Sequence, residues 1–69
     1  MLLYRNARRF DCTDQIGNRY VVVEQICDAA PRERRIDYMT EDGDIADRLD
    51  EHRFLLLMKD KIVEIRKRK

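Results

Sequence analysis

The chain has 69 residues and a formal net charge of +1, and 42% of its residues are charged while 43% are apolar. This length accommodates one domain, residues 1–69, because a second hydrophobic core would not fit. The apolar content and the small net charge exclude an intrinsically disordered chain. The core of so small a domain is thin, which favours self-association or a bound partner.

The N-terminal part of the sequence predicts a β-hairpin. Residues 1–7 form either a short helix or an irregular arm. Residues 8–13 alternate in character and residues 19–26 are rich in β-branched and aromatic side chains, so both segments are predicted to be strands. The five-residue loop at 14–18 contains Gly17, which supplies the positive φ that a tight turn needs.

The register of this hairpin follows from its residue types. If Thr13 faces Arg19, the pairs on one face are Cys12 with Tyr20, Phe10 with Val22 and Arg8 with Glu24. That face is apolar in its middle and closed at its end by opposite charges. We therefore expect it to line the core, whereas the other face is mixed.

The middle of the chain predicts two further strands. Residues 27–34 contain the one proline of the chain and interrupt the alternation, so they are predicted to be a loop that could include one helical turn. Residues 36–40 alternate again, and Asp42 with Gly43 predicts a two-residue hairpin turn. Residues 44–49 are predicted to be a strand, with a short helix as the alternative.

The C-terminal part predicts one more hairpin. A turn near residues 50–52 leads to an apolar strand at 54–58, which should be covered on both faces. Pairing Met58 with Ile62 places Leu55 opposite Ile65 and gives one fully apolar face. The whole chain is thus predicted to be all-β, an antiparallel meander of five or six short strands arranged as an open barrel or a two-layer sheet.

Part of this pattern resembles that of a group of small uncharacterised bacterial proteins. The similar positions are a Tyr-x-Thr strand at Tyr38 with the Asp-Gly turn, then Ile45, Leu49 and Phe54, preceded by a hairpin containing Phe10, Asp14, Gly17 and Tyr20. The resemblance implies an all-β fold for most of the chain. It carries no activity to transfer.

The sequence predicts no catalytic, cofactor or metal site. His52 is the only histidine and lies in a predicted turn, and the chain contains no serine. Cys27 lies seven residues beyond the predicted partner of Cys12, or roughly 23 Å at about 3.3 Å per residue. The two cysteines are therefore predicted to be free thiols, which favours a reduced, cytoplasmic protein. The longest apolar run, residues 54–58, is too short to span a bilayer, so no membrane contact is predicted.

The predicted function is that of a small, non-catalytic intracellular binding module whose partner is a protein, including a second copy of the chain. The predicted partner-contacting strand would serve best at a sheet edge, where unpaired backbone groups invite another strand. Its residues are Phe54, Leu55, Leu56, Leu57 and Met58.

The alternative function is a nucleic-acid-binding accessory protein that uses the two basic ends of the chain. The candidate phosphate contacts are Arg5, Arg8 and Arg9 near the start, and Arg66, Lys67, Arg68 and Lys69 in a C-terminal basic tail at 66–69. Clusters of this kind attract phosphates. The net charge near zero argues against a dedicated nucleic-acid-binding protein, so we rank this function second.

Overall fold

The computed structural model describes residues 4–30 and 33–66, and this part of the chain is all-β. Six antiparallel strands follow one another, and each pairs with the next. They are β1 (Tyr4–Thr13), β2 (Arg19–Ala30), β3 (Glu33–Thr40), β4 (Ile45–Arg48), β5 (Arg53–Leu56) and β6 (Lys61–Ile65). The last strand returns to the first and closes a barrel. The predicted antiparallel meander is therefore confirmed.

The first three strands are longer than the barrel. In the described residues β1 pairs with β6 only at Cys12 and Thr13, and β3 pairs with β4 only at Tyr38 and Met39. The remaining halves of β1, β2 and β3 pair with one another and extend past the barrel. We call this part, formed by residues 4–7, 25–30 and 33–37, the protruding sheet.

The predicted register of the first hairpin is confirmed. Arg8 pairs with Glu24, and Phe10 pairs with Val22. The face that carries these residues points into the barrel, as predicted, because alternate residues of a strand project to opposite sides. The buried core consists of Cys12, Val22, Ala46, Phe54, Leu56 and Val63, with Phe10, Tyr20, Tyr38 and Ile65 packed against it.

Two predictions about irregular segments are wrong within the described residues. β2 continues to Ala30 and β3 begins at Glu33, so residues 27–30 and 33–34 are strand rather than loop. Tyr4–Ala7 likewise belong to β1 instead of a helix or an arm. The reason is that β2 forms hydrogen-bonded ladders with both neighbours, and this pairing outweighs a weak local pattern. Residues 31–32, which include Pro31, lie outside the described residues, as do 1–3 and 67–69.

The hairpin loops of β1–β2 and β3–β4 share one geometry. The backbone N–H of Asp14 binds the carbonyl of Asn18 at 3.0 Å, and the N–H of Thr40 binds the carbonyl of Asp44 at 2.8 Å. Each pair encloses three residues, the last of which is a glycine with φ near +90°, a conformation that L side chains rarely adopt. The second loop is thus one residue longer than predicted. The strand at 44–49 is confirmed over Ile45–Arg48.

Asp44 fixes the turn between β5 and β6. This side chain is buried, and its carboxylate accepts the backbone N–H groups of Met58 at 2.8 Å and Lys59 at 3.3 Å. The Lys59 ammonium lies 3.3 Å from the same carboxylate. These contacts hold residues 57–60 in a turn that ends at Asp60, whose φ is 52°.

The predicted register of the last hairpin is wrong for this reason. The observed pairs are Phe54 with Val63 and Leu55 with Ile62, and β5 ends at Leu56. The prediction treated Met58 as part of the strand, whereas Asp44 draws this residue into the turn. As a result Phe54 and Leu56 face the core. The face predicted to be fully apolar, which carries Leu55, lies on the outside of the barrel instead.

Neutralising Asp44 is expected to destabilise the barrel at neutral pH. Burial raises the pKa of Asp44, but the hydrogen bonds from Met58 and Lys59 together lower it below the ordinary value of 3.8. A lowered folded-state pKa stabilises the fold above about pH 4, and this contribution is lost as the pH falls further. Asp44→Asn should lower the midpoint of thermal unfolding at pH 7, and its difference from the wild type should shrink below about pH 4.

Asp47→Asn is the matched control for this experiment, because Asp47 is exposed and no described residue binds its carboxylate. It should leave the unfolding midpoint nearly unchanged at both pH values. A destabilisation by Asp44→Asn that stayed constant from pH 7 to about pH 3 would contradict the role given to the carboxylate.

Both thiols are free and buried, as predicted. Cys12 faces the barrel interior, and Cys27 lies in the protruding sheet between Tyr4 and Arg35. Burial raises the pKa of the Cys12 thiol to about 11, so little reactive thiolate forms at neutral pH. Iodoacetamide should label both cysteines in denaturant without reductant, and Cys12 should stay unlabelled in the folded protein. Intact-mass measurement checks both, and rapid native labelling of Cys12 would contradict its place in the core.

Candidate functional site

The outside of the barrel carries an apolar area that crosses four strands. Met39 pairs with Ile45, and Leu57 donates its backbone N–H to the Ile45 carbonyl at 2.9 Å. On the next strands Leu55 pairs with Ile62. Paired residues of antiparallel strands project from the same face, so these side chains form a continuous surface. We call it the outer apolar face, formed by Met39, Ile45, Leu49, Leu55, Leu57 and Ile62.

Much of the outer apolar face is open to solvent. Four of its side chains are 45–54% exposed, namely Ile45, Leu49, Leu57 and Ile62. Single exposed apolar residues are ordinary on protein surfaces, but a contiguous patch of several hundred Å² indicates an interaction site. The cross-strand register makes this area contiguous, and none of it is needed to fill the barrel.

One carboxylate interrupts the outer apolar face. Asp47 lies between Ile45 and Leu49 along β4, and it pairs with Leu55 on β5. Its side chain is exposed, and within residues 4–30 and 33–66 it makes neither a hydrogen bond nor an ion pair. An unpaired negative charge surrounded by apolar side chains favours partners that carry a complementary positive charge.

The structure divides the predicted partner-contacting residues between the two sides of the barrel wall. Phe54 and Leu56 are buried in the core, so they are not available to a partner. Leu55 and Leu57 belong to the outer apolar face, and Met58 is exposed in the following turn. The strand is not at a sheet edge, because β5 pairs with both β4 and β6.

Arg66, the one described residue of the predicted C-terminal basic tail, lies at the seam between β6 and β1. The backbone N–H of Arg66 binds the carbonyl of Asp11 at 2.7 Å, which places the end of β6 beside β1. Arg8 and Arg9, however, form ion pairs with Glu24 and Glu41, at 2.9 and 2.6 Å. Arg5 and Arg66 are exposed. The other predicted phosphate contacts, Lys67, Arg68 and Lys69, lie outside the described residues.

A polar cluster closes the end of the barrel next to the protruding sheet. Arg8 binds the carboxylate of Glu24 with two nitrogens, at 3.1 and 2.9 Å, and the hydroxyl of Tyr38 donates to the same carboxylate at 3.0 Å. Arg48 donates to the Tyr38 hydroxyl at 3.2 Å. The guanidinium of Arg48 lies 5.3–5.6 Å from the ring centroids of Phe10, Tyr38 and Phe54. Sequence analysis found the pair of Arg8 with Glu24 but missed Arg48.

This cluster has the chemistry of a structural plug. The hydrogen bonds from Arg8 lower the pKa of Glu24 more than burial raises it, so the carboxylate stays charged and paired. The remaining nitrogens of Arg48 bind the backbone carbonyls of Asp50 and Glu51. In the part of the chain that the structure describes, every buried side-chain nitrogen and oxygen has a hydrogen-bond partner. These hydrogen bonds link the members of the cluster to one another and to the backbone, which is typical of a structural role.

The remaining chemical candidates do not converge in the described residues. His52 is exposed in the loop between β4 and β5, where its backbone N–H binds the Asp50 carboxylate at 2.8 Å. No group of three or more metal-ligating side chains occurs within 4–30 and 33–66, and this same part contains no helix that could cross a bilayer. Comparisons with protein-family models, curated proteins and solved structures find no match.

Proposed function

We propose that this chain is a small, non-catalytic binding module whose partner is a protein, a second copy of the chain included. The observation that carries the proposal is the outer apolar face, which the register of β3 to β6 assembles from side chains outside the core. Burial of apolar surface contributes about 25 cal/mol per Å². A partner that covered the half-exposed side chains of Ile45, Leu57 and Ile62 would therefore be bound more tightly.

The size of the domain supports the same conclusion. A single barrel of this length has a small core, and within the described residues its main cluster holds six buried side chains with four partly buried ones packed against it. Proteins of this size gain stability by associating with another chain. Two buried, free thiols are typical of a reducing compartment, and we accordingly propose a cytoplasmic location.

We expect the protein to form a homodimer at micromolar concentration, with about twice the chain mass of 8.4 kDa. Leu57→Asp should reduce this association, because it places a charge among the apolar side chains without entering the core. Light scattering measures the mass, and circular dichroism confirms that the variant is folded. Ala7→Asp is the control, since it adds the same charge at an exposed position of β1 away from this face.

A wild-type particle of 8.4 kDa at high concentration would remove the homodimer and leave only a different protein as the partner. If Leu57→Asp and Ala7→Asp weakened association equally, the outer apolar face would not be the contact surface.

The nucleic-acid alternative makes a different prediction. If the basic ends bound phosphates, affinity for duplex DNA would fall with salt with a slope near −0.9 per phosphate neutralised, and removal of residues 66–69 would flatten that slope. Because Arg8 and Arg9 are already paired with carboxylates, we expect no salt-sensitive binding to random DNA at about 50 mM salt. Electrophoretic mobility shift measures this. Tight binding that is lost with the tail would reverse our ranking.

A further inference from the structure

β3 and β4 separate partway along their length and leave a groove between them. They pair at Tyr38 with Ala46, but Ile36 on β3 and Arg48 on β4, which would be the next hydrogen-bonded pair in the same register, do not pair. β4 instead turns toward β5, where Arg48 pairs with Phe54. The groove has a volume of about 630 Å³, which is in the range of ligand-binding sites.

The two walls of the groove present backbone groups that point toward each other. The hydrogen bond from the Thr40 N–H to the Asp44 carbonyl shows which backbone groups face across the gap. They are the N–H and C=O groups of the even-numbered residues of β3 and β4. By alternation, the N–H and C=O of Ile36 and of Arg48 point into the groove. Among the described residues β2 is the one strand that pairs with β3 before Tyr38, so the other edge of β3 has no strand partner there. One extended segment between the walls could therefore form hydrogen bonds with both.

The side chains of the groove define the chemistry of such a segment. Ile36, Met39 and Ile45 are apolar, and Arg35 is neutralised by Asp37 at 3.3 Å. Arg48 is held over the aromatic rings and by its hydrogen bonds. Arg48 keeps its positive charge, but its guanidinium lies on the inward side of β4, over the aromatic rings. Asp47 projects from the outward side of β4, and its carboxylate has no partner in the described part of the chain. Charge complementarity thus favours a segment with a basic side chain among apolar ones.

We propose that this groove binds an extended, basic segment of another protein by strand addition between β3 and β4. Main-chain hydrogen bonds to Ile36 and Arg48 would supply affinity, and a Lys or Arg facing Asp47 would supply selectivity. The groove shares Met39 and Ile45 with the outer apolar face, but the proposal rests on the backbone groups of Ile36 and Arg48 and on Asp47, and it uses no side chain of β5 or β6.

The opposite edge of the protruding sheet is protected against the same event. The free part of β1 carries Arg5, Arg8 and Arg9, and its ladder is interrupted by a bulge at Ala7. Charged side chains and bulges are the devices by which proteins block edge-to-edge pairing. The edge of β3 that carries Ile36 has no bulge between residues 33 and 40. β3 also carries charged residues, at 33–35 and 37. The bulge is therefore what distinguishes the two edges, and it directs strand addition to β3.

The first experiment uses two blocked heptapeptides, one alternating lysine with valine and the other alternating glutamate with valine. The lysine peptide should bind the intact chain and shift the amide NMR signals of Ile36 and Arg48. The glutamate peptide should bind at least about tenfold more weakly, and Asp47→Asn should weaken the lysine peptide about threefold to fivefold. No binding of the lysine peptide at about 1 mM, or equal binding of both peptides, would overturn the proposal.

Ile36→Pro tests whether main-chain hydrogen bonds to β3 contribute to peptide binding. It removes an N–H that points into the groove and takes no bond from the ladder with β2, so the fold should survive. Binding of the lysine peptide should fall at least about tenfold. The same peptide methylated at every second backbone nitrogen should also lose binding, which keeps the test valid if Ile36→Pro fails to fold.

Two further outcomes would refute strand addition in the groove. Unchanged binding by folded Ile36→Pro, or amide shifts confined to residues 55–62, would place the peptide elsewhere. A concentration-dependent shift of the Ile36 amide without peptide would identify a second copy of the chain as the occupant. Ile62→Asn is the control, since Ile62 lies on β6, two strands away from β4, and the variant adds no charge. It should leave peptide binding intact even if it weakens association through the outer apolar face.

Discussion

Barrel closure restricts how much of each strand can pair, and the first three strands exceed that limit. β1, β2 and β3 have 10, 12 and 8 residues, whereas β4, β5 and β6 have 4, 4 and 5. A closed barrel needs every strand to find two neighbours over a shared length, and the short strands set that length. The excess of the long strands leaves the barrel as the protruding sheet. Its free edges and the groove beside β4 are direct consequences.

The same mismatch explains why one end of the barrel is closed by polar side chains. Where the long strands leave the barrel, the inward-facing positions of β1, β2 and β3 are occupied by Arg8, Glu24 and Tyr38. Burial of Glu24 is tolerated because a two-nitrogen contact from Arg8 and a hydroxyl from Tyr38 satisfy its oxygens. Arg48 covers the aromatic rings below, and contacts of this kind contribute about 0.5–2 kcal/mol. The plug thus lets the core end without exposing its aromatic side chains.

Asp47 lies where the two proposed binding surfaces meet. Along β4, inward-facing residues serve the barrel, whereas outward-facing Ile45, Asp47 and Leu49 serve the surface. The outer apolar face extends from these outward-facing residues toward β6, and the groove extends from the same residues toward β3. A partner that placed an apolar surface on β5 and β6 and an extended basic segment beside β3 would contact both. Such a partner would combine two modest contacts into one stronger interaction.

Local sequence patterns determined much of the fold. The hairpin of β1 and β2 followed from alternation and opposite charges, and the strand nature of β4 followed from the Asp-Gly turn, because turn chemistry and cross-strand pairs act between neighbours in the chain. The free thiols followed from the register of the same hairpin. The sequence also located an apolar segment at 54–58, but it predicted that both faces would be covered, whereas Leu57 and Met58 are exposed.

Only the tertiary structure decided the register of the last hairpin and the two proposed binding surfaces. The carboxylate of Asp44 binds the backbone N–H groups of Met58 and Lys59 just beyond the paired ends of β4 and β5, a contact between residues 14 and 15 positions apart that no alternation pattern contains. With the observed register Phe54 and Leu56 line the core, whereas Leu55 and Leu57 face outward. The groove depends in turn on where β4 leaves β3 for β5. That divergence is set by closure of the whole barrel rather than by any segment of the sequence.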